Sequence, residues 1–369
     1  MVRTGRVGVG VVGAGVISGT YLENMTAFPD LEVLFVADLI LGRAQSQAQK
    51  YGIAGHGSVA ELLAIDEIEI VVNLTTPDAH TEISEAAIAA GKHVWSEKPI
   101  ALDHGASNQL LARARAKGLR VACAPDTVLG AGIQTALRGI ARGDIGVPLT
   151  ATTIFQVPGP EAWHPAPQFL YAYGAGPLFD MGPYYITTLV HALGGITEVS
   201  AVSSKSVETR VIASGPLAGT EFPVEVPTHY GALLKFAGGQ SAQSTFSFQS
   251  ALPRAGFVEI SGTEGTLVLP DPNTFEGDTQ LWRCGFEEPE TIAAQGSTYG
   301  RGSGVLDLAR SIRGGGAERA SGEVAAHVLD VLLAVSSAAS SGQPVAVTSE
   351  IERPTPLPVD WNPAEPTLS

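Results

Sequence analysis

The sequence predicts an α/β protein of two domains, a doubly wound parallel sheet followed by a second α/β domain with an open, predominantly antiparallel sheet. Three observations carry this expectation. Short apolar runs alternate with helical stretches over the first third, the pattern of parallel strands joined by crossover helices. The first of those runs leads directly into a glycine-rich turn. After Pro125, several strand-like runs follow one another without helices between them, which implies antiparallel or mixed pairing.

Taken in order, residues 6–12 form a buried strand, 19–27 a helix, 32–37 a strand and 43–51 a helix. Residues 69–74 are the next strand, 79–90 an alanine-rich helix, 93–96 a strand, 107–117 a helix and 120–124 a strand. Beyond Pro125, residues 133–142 form a helix stopped by Gly143, and 149–157 alternate as a strand should. A loop rich in proline and aromatic residues, 158–176, precedes a helix over 180–193. Strand-like runs follow at 198–206, 228–236, 240–248, 257–262 and 265–269, joined by Gly, Pro and Asp turns. Residues 325–339 form a late amphipathic helix, on which His327 reads as structural, and the Pro-rich tail from Glu350 an extended arm. The expected domains are 1–124, 125–345 and a C-terminal arm, 346–369.

A length of 369 residues exceeds one ordinary core and suits two domains. A formal net charge of −15 argues against nucleic acid and anionic membrane surfaces as partners. Only two cysteines occur, Cys123 and Cys284, with neither metal spacing nor a disulfide framework, so a reducing cytoplasm is the expected setting and no metal is expected. The apolar run after Arg3 and Arg6 is broken by glycines, unlike a signal peptide. No segment reaches the ~18 uninterrupted apolar residues of a membrane span.

The strand over 6–12 runs into Gly13-Ala14-Gly15-Val16-Ile17-Ser18, a dinucleotide turn G-x-G-x-x-G with serine in the third place. Gly13 permits the tight turn, and Gly15 lets backbone approach a pyrophosphate seated on the helix that Val16 and Ile17 lead into. Ser18 satisfies the third position's need for a small residue less well than glycine. Asp38 ends the second strand, where its carboxylate can accept from adenosine ribose hydroxyls and repel a 2′-phosphate, so NAD is favoured over NADP. The alternative for Asp38 is a cap of the next helix. Thr75, Thr76, Pro77 and His80 follow the strand over 69–74, at the carboxyl edge where such folds bind ligands; Thr76 with Pro77 equally suits a helix start. Glu97-Lys98-Pro99 follows the strand over 93–96 at the same edge.

Together these residues resemble the glucose–fructose oxidoreductase, inositol dehydrogenase and rhizopine-catabolism (Gfo/Idh/MocA) family of NAD(P)-dependent sugar and cyclitol dehydrogenases. The resemblance lies in the glycine turn, Asp38, Thr76-Pro77-Asp78-Ala79-His80, the run from Ala90-Gly91-Lys92-His93-Val94 to Glu97-Lys98-Pro99, and Gly174-Ala175-Gly176-Pro177-Leu178-Phe179-Asp180-Met181-Gly182. It extends to about residue 345. It implies a Rossmann domain plus an open-faced α/β domain, often paired sheet to sheet, so a homodimer or homotetramer is expected. It further implies that Lys98 lies between nicotinamide and substrate, that Asp180 is the aspartate of an Asp-x-Gly-x-His element, and that Pro125-Asp126 is the turn after the last Rossmann strand. One departure matters: the family's histidine falls on Tyr184.

Asp180 and Tyr184 stand one helical turn apart and can share a face. Asp180 reads either as substrate-orienting or as an N-cap, and Tyr184 either as a proton carrier or as a core aromatic. In the loop, Trp163 can pack on a sugar ring and His164 can replace the missing imidazole; anchoring of the loop is the alternative for both. Tyr299-Gly300-Arg301 is a further segment that could approach the substrate. The expected reaction is hydride transfer between a secondary alcohol of a carbohydrate and NAD, with Lys98 handling the proton and Asp180 orienting hydroxyls. Three rivals remain: a nonredox NAD-dependent glycosidase, which would share these motifs; a non-catalytic regulator that binds NAD and sugar, which would be expected to lose Lys98; and use of NADP.

Overall fold

The structure is a computed structural model and describes residues 4–368. The chain divides into two compact units, one of residues 1–134, 295–329 and 355–369, the other of 135–294 and 330–354.

The first unit begins β1 (Val7–Val12), α1 (Ser18–Met25), β2 (Leu31–Ala37), α2 (Leu41–Tyr51), β3 (Gly55–Gly57), α3 (Val59–Leu63) and β4 (Ile68–Asn73). It continues α4 (His80–Ala89), β5 (His93–Ser96), α5 (His104–Ala116) and β6 (Val121–Cys123). The six strands form one parallel sheet in the order β3-β2-β1-β4-β5-β6. β1 is buried along its whole length, as a central parallel strand covered on both faces must be. The strand order reverses beside β1, so the turns after β1, β4 and β5 meet at the carboxyl edge where open α/β sheets bind ligands. The sequence reading passed over β3 and α3. β3 is His56 between two glycines and has no apolar period. α3 does carry a signal, the reciprocal capping box of Ser58 and Glu61.

The chain leaves through α6 (Ala131–Arg142). The second unit then builds β7 (Pro148–Gln156), α7 (Gly176–Leu193), β8 (Ile196–Ser204), β9 (Thr209–Val211), β10 (Glu221–Pro223), β11 (His229–Phe236) and β12 (Ser241–Ser247). β13 (Arg254–Gly262), β14 (Gly265–Leu269), β15 (Thr279–Arg283) and β16 (Glu290–Ile292) follow. α8 (Ser303–Gly314), α9 (Gly322–Ser341) and β17 (Val345–Ala346) complete the order. The large sheet runs β16-β15-β14-β13-β7-β12-β11-β8-β17. Its β7–β12 pair is parallel and its other described pairs are antiparallel, which makes it mixed and mostly antiparallel. Tyr230, Ala232, Leu234 and Phe236 of β11 are buried while Leu233 and Lys235 alternate outward, and α7 packs on β7, β11 and β12. β9 and β10 form a separate two-stranded sheet.

The expected domain limits differ from this division. Residues 295–329, assigned from sequence to the second domain, pack with the first unit: Val305, Leu306, Leu308 and Ala309 of α8 share a core with Val9, Val11 and Trp95. The late tail is not a free arm. Asp30, fully buried, accepts from the Thr367 and Leu368 amides, the Thr367 hydroxyl and Arg310 Nε, which fastens the tail to the first unit. α9 is long and apolar enough to cross a membrane by length and composition, but most of its apolar stretch is buried within the fold. The sequence placed a shorter helix there.

Candidate active site

β1 ends where Gly13 turns the chain. Its φ of +99° lies in the left-handed region, and a Cβ there would stand 2.6 Å from the Leu74 carbonyl oxygen. The Gly13 amide donates to Ala37 O at 2.8 Å, and the Leu74 amide to Val12 O at 2.8 Å, so the turn is locked to β2 and β4. Gly15 faces open space, and Val16 beside it is fully exposed. Ile17 leads into α1 without a side-chain cap. The first amides of that helix, a natural anion site, are therefore not closed off by a capping side chain. Ser18 is fully buried and its hydroxyl donates to Gly15 O at 2.7 Å, which accounts for serine in the third position.

Asp38 stands beside this turn. Its carboxylate accepts from the Ala14 amide and the Ile40 amide, each at 2.7 Å. A groove of about 740 Å³ runs past Ala14, Gly15 and Val16 to Ile40, Gly42 and Arg43. Val16, Leu39, Ile40 and Leu41 leave apolar surface exposed around it. An open Gly15, a helix start without a capping side chain, a carboxylate at the mouth and apolar walls fit the pyrophosphate, ribose and adenine of a dinucleotide.

The turn after β4 is organised from below. Asn73, fully buried, donates to His80 O at 3.0 Å and Ser84 Oγ at 3.2 Å, and accepts from Thr75 Oγ1 at 2.6 Å. Thr76 and Pro77 are exposed at this edge. Thr76 does not cap the helix with its side chain; its hydroxyl bonds the Asp78 carboxyl instead and helps hold it below the usual carboxylate range. His80, expected at the ligand edge, is 1% exposed, with Nδ1 2.8 Å from Pro99 O and Nε2 3.0 Å from Thr75 O. It is spent on the framework because two backbone oxygens enclose it.

Lys98 follows β5, half-buried, and its amide donates to Glu97 Oε2 at 3.1 Å. The Lys98–Pro99 and Ala124–Pro125 peptides are cis. Glu97 also accepts from Tyr21 O–H at 2.8 Å, whose oxygen in turn accepts from Trp95 Nε1 at 3.3 Å. Burial, then Glu97 and Asp126, push the Tyr21 hydroxyl well above its ordinary pKa, so it stays a donor. Cys123 lies near enough to feel both neighbours: burial and Glu97 push its thiol well up, and the Lys98 charge opposes them.

Asp126, expected to contact the cofactor, is fully buried with a different task. Its carboxylate accepts from the Gly302 amide at 2.8 Å and the Gly304 amide at 3.2 Å, and pairs with Arg301 at 3.4 Å. It closes the start of α8, and burial raises its pKa against the pull of Arg301. Tyr299-Gly300-Arg301 packs on α1, with Tyr299 edge-on to Phe28 and Asn24 donating to Arg301 O. Tyr21, Asn73 and α8 were the residues missed from sequence. The apolar spacing Val305, Leu306, Leu308, Ala309, Ile312 is the helical signal that marks α8.

In the second unit, α7 begins at Gly176 after Ala175, so Asp180 is not an N-cap but lies in the second turn, partly exposed. Tyr184 follows one turn later and is 7% exposed. The aromatic loop is anchored by Tyr171, fully buried, whose hydroxyl donates to Glu161, which also pairs with Arg210. Trp163 and Phe169 stay exposed and flank His164 edge-on, each ring centroid 5.4 Å from it. The Ala166 amide donates to His164 Nδ1 at 3.0 Å, so the neutral ring carries its proton on Nε2. Among the described residues, no group of three or more His, Cys, Asp or Glu is placed to hold a metal ion.

The architecture agrees with known proteins. A family described as "Oxidoreductase family, NAD-binding Rossmann fold" (GFO_IDH_MocA) matches residues 7–124, and its "GFO/IDH/MocA C-terminal domain" matches 133–268. Trans-1,2-dihydrobenzene-1,2-diol dehydrogenase of Oryctolagus cuniculus is 28% identical over 278 residues, 71% of this chain and 75% of that protein. The 1,5-anhydro-D-fructose reductase of Ensifer adhaerens is 27% identical over 343 residues, 90% of this chain and 96% of that protein. A levoglucosan dehydrogenase solved with NADH and L-sorbose superimposes with a TM-score of 0.80 at 22% identity, covering 94% of this chain and 100% of that one, a likeness of fold. The chain belongs to the Gfo/Idh/MocA family of oxidoreductases, and NAD is the cofactor of its Rossmann unit.

Proposed function

We propose that the protein transfers a hydride between a secondary alcohol of a sugar, polyol or cyclitol and NAD, with Lys98 as the proton carrier. The observation that carries this is the carboxyl edge of the parallel sheet: an open glycine turn, Asp38 at its mouth, and Lys98 on a turn pinned through Glu97. The named relatives, which act on a dihydrodiol and an anhydro sugar, support the substrate class.

Gly13 and Gly15 admit the pyrophosphate to the start of α1, and Asp38 accepts from the adenosine ribose hydroxyls. NAD, when bound, supplies the hydride acceptor at its nicotinamide. Lys98 takes the hydroxyl proton as the alcohol carbon gives up hydride, and returns it to oxygen in ketone reduction. Asp180 orients substrate hydroxyls by charge-assisted hydrogen bonds, and Tyr184 relays the proton. Trp163 offers a ring face to the substrate, and His164, protonated on Nε2, donates to a substrate oxygen.

The open face of the large sheet supports a homodimer or homotetramer. Val202 and Leu233 are 67% and 58% exposed there, beside Gln243 and Thr245, an uncharged patch bordered by Lys235 and suited to a second copy. Two free cysteines and no disulfide among the described residues suit a cytoplasmic setting.

The test is NADH absorbance with purified protein and a panel of levoglucosan, myo-inositol and trans-1,2-dihydrobenzene-1,2-diol, with 1,5-anhydro-D-fructose assayed in reverse. Net NADH production from an unlinked sugar or diol is expected. Glycoside cleavage without net NADH would replace this reading with the nonredox glycosidase, and NAD and sugar binding without turnover with the regulator.

A further inference from the structure

We propose that His80 is a positioning residue for Lys98, its ring tying the turn after β4 to the Lys98–Pro99 turn after β5. The proposal rests on the reading of Lys98 as the proton carrier.

His80 is the first residue of α4 and is 1% exposed. Its two ring nitrogens lie on opposite edges and meet backbone oxygens of two different turns, Pro99 O at 2.8 Å and Thr75 O at 3.0 Å. Two carbonyl oxygens cannot bond each other; the neutral ring has one N–H to give, and the shorter contact, 2.8 Å from Nδ1 to Pro99 O, is the one through which it would hold the lysine-bearing turn. The His80 backbone is itself held, since its oxygen accepts from buried Asn73 at 3.0 Å. Asn73 also receives the Thr75 hydroxyl at 2.6 Å, and the Asn73 carbonyl receives the Glu97 amide at 2.9 Å. The end of β4, the start of α4 and the Glu97-Lys98-Pro99 turn thus form one hydrogen-bonded frame.

Pro99 has no amide, so its carbonyl is the group through which that residue's backbone can be gripped. Glu97 holds Lys98 from the preceding side through its amide at 3.1 Å, and His80 holds it from the following side through Pro99 O. A phenylalanine in place of His80 would fill similar volume but leave Pro99 O without this donor. The fold keeps its packing from Ala87 and Ile88 of α4, while the lysine-bearing turn loses one of its restraints.

The experiment compares His80→Phe and His80→Gln in the full-length protein, alone and with Lys98→Ala. The substrate is whichever of the four panel compounds turns over fastest. His80→Phe should lower kcat by roughly tenfold to a hundredfold, the cost of a slightly misplaced catalytic group, with the Kd for NAD changed less than about twofold. His80→Gln, whose amide can still donate to one carbonyl, should recover part of the loss. Added to Lys98→Ala, His80→Phe should cost nothing further, because it acts through the lysine. Hydrogen exchange supplies a readout that needs no substrate: amides of 97–98 should exchange roughly tenfold faster in both His80 variants while those of β1 keep their protection. Wild-type kcat in His80→Phe, full additivity with an impaired Lys98→Ala, or unchanged exchange at 97–98 in His80→Gln would each overturn the proposal. Wild-type kcat in Lys98→Ala would instead overturn the reading of Lys98.

Discussion

Asp38→Ala separates the two dinucleotides by energies that the structure lets one apportion. The carboxylate accepts the Ala14 and Ile40 amides at 2.7 Å each. Ala14 is 6% exposed, so its amide loses a charge-assisted bond and gains little water; that costs the turn about 1.5–3 kcal/mol. Ile40 is half-exposed and its amide rehydrates at small cost. A ribose hydroxyl bonded to the carboxylate is worth a similar 1.5–3 kcal/mol, so NAD should bind roughly tenfold to a hundredfold more weakly to the variant. For NADP the same change removes a repulsion. A carboxylate and a phosphate of about two charges, roughly 5 Å apart in high dielectric, repel by about 2 kcal/mol. The preference for NAD should therefore shrink by two to four orders of magnitude, at about 1.4 kcal/mol per tenfold. The assay is calorimetric Kd for both dinucleotides at fixed ionic strength, with Asp38→Asn as a control that can still accept one of the two amides. Equal or tighter NADP binding by the unaltered protein, or an unchanged ratio in Asp38→Ala, would rule out this role for Asp38.

Asp180→Ala should lower kcat/KM more than it alters NAD binding, since it removes an orienting contact; unchanged kcat/KM would remove Asp180 from the site. Tyr184→Phe should lower kcat at least roughly tenfold, and near-normal turnover would transfer the proton relay to His164, checked by His164→Gln. Stability should fall as pH drops from 6.5 towards 4. Burial, aided by Arg120, lowers the His93 pKa to about 4 from 6.5, so the unfolded chain binds a proton across that window that the folded protein refuses. The gap of about 2.5 pH units, at 1.36 kcal/mol each, bounds the loss at roughly 3 kcal/mol, and His93→Gln should flatten a urea-stability profile there. Asp30 acts in the same direction at lower pH. Burial alone would raise its pKa, but the Leu368 and Thr367 amides with Arg310 hold it down, so acid releases the tail. Light scattering at micromolar concentration should show a dimer or tetramer that Leu233→Glu weakens; a monomeric unaltered protein would count against pairing through the sheet.

The parallel sheet was legible because its strands are apolar runs bounded by glycines and its helices carry a period. β5 came out residue for residue, and β14 likewise. The ligand edge was legible for the same reason, since strand ends and the Gly13, Asp38 and Lys98 positions follow from order alone. What sequence could not reveal was how side chains are spent once buried. His80 and Asp126 sit in ligand-edge turns, yet one is enclosed between two carbonyls and the other closes a helix nearly 180 residues onward. Distant pairing also hid α8 and the tail, whose attachment depends on Trp95, Asp126 and Asp30. The helix expected from Asp180 starts at Gly176 and carries Pro183 internally, a proline that in the sequence pattern gives no sign of the turn before it.

In the proposed mechanism Lys98 moves the proton while other residues hold the cofactor. The most direct measurement is turnover of Lys98→Ala on the best panel substrate, paired with its Kd for NAD. Turnover should fall by roughly two to four orders of magnitude, the usual worth of general acid–base catalysis, with Kd changed less than about threefold. Wild-type turnover in Lys98→Ala, or a loss explained wholly by weakened NAD binding, would contradict it.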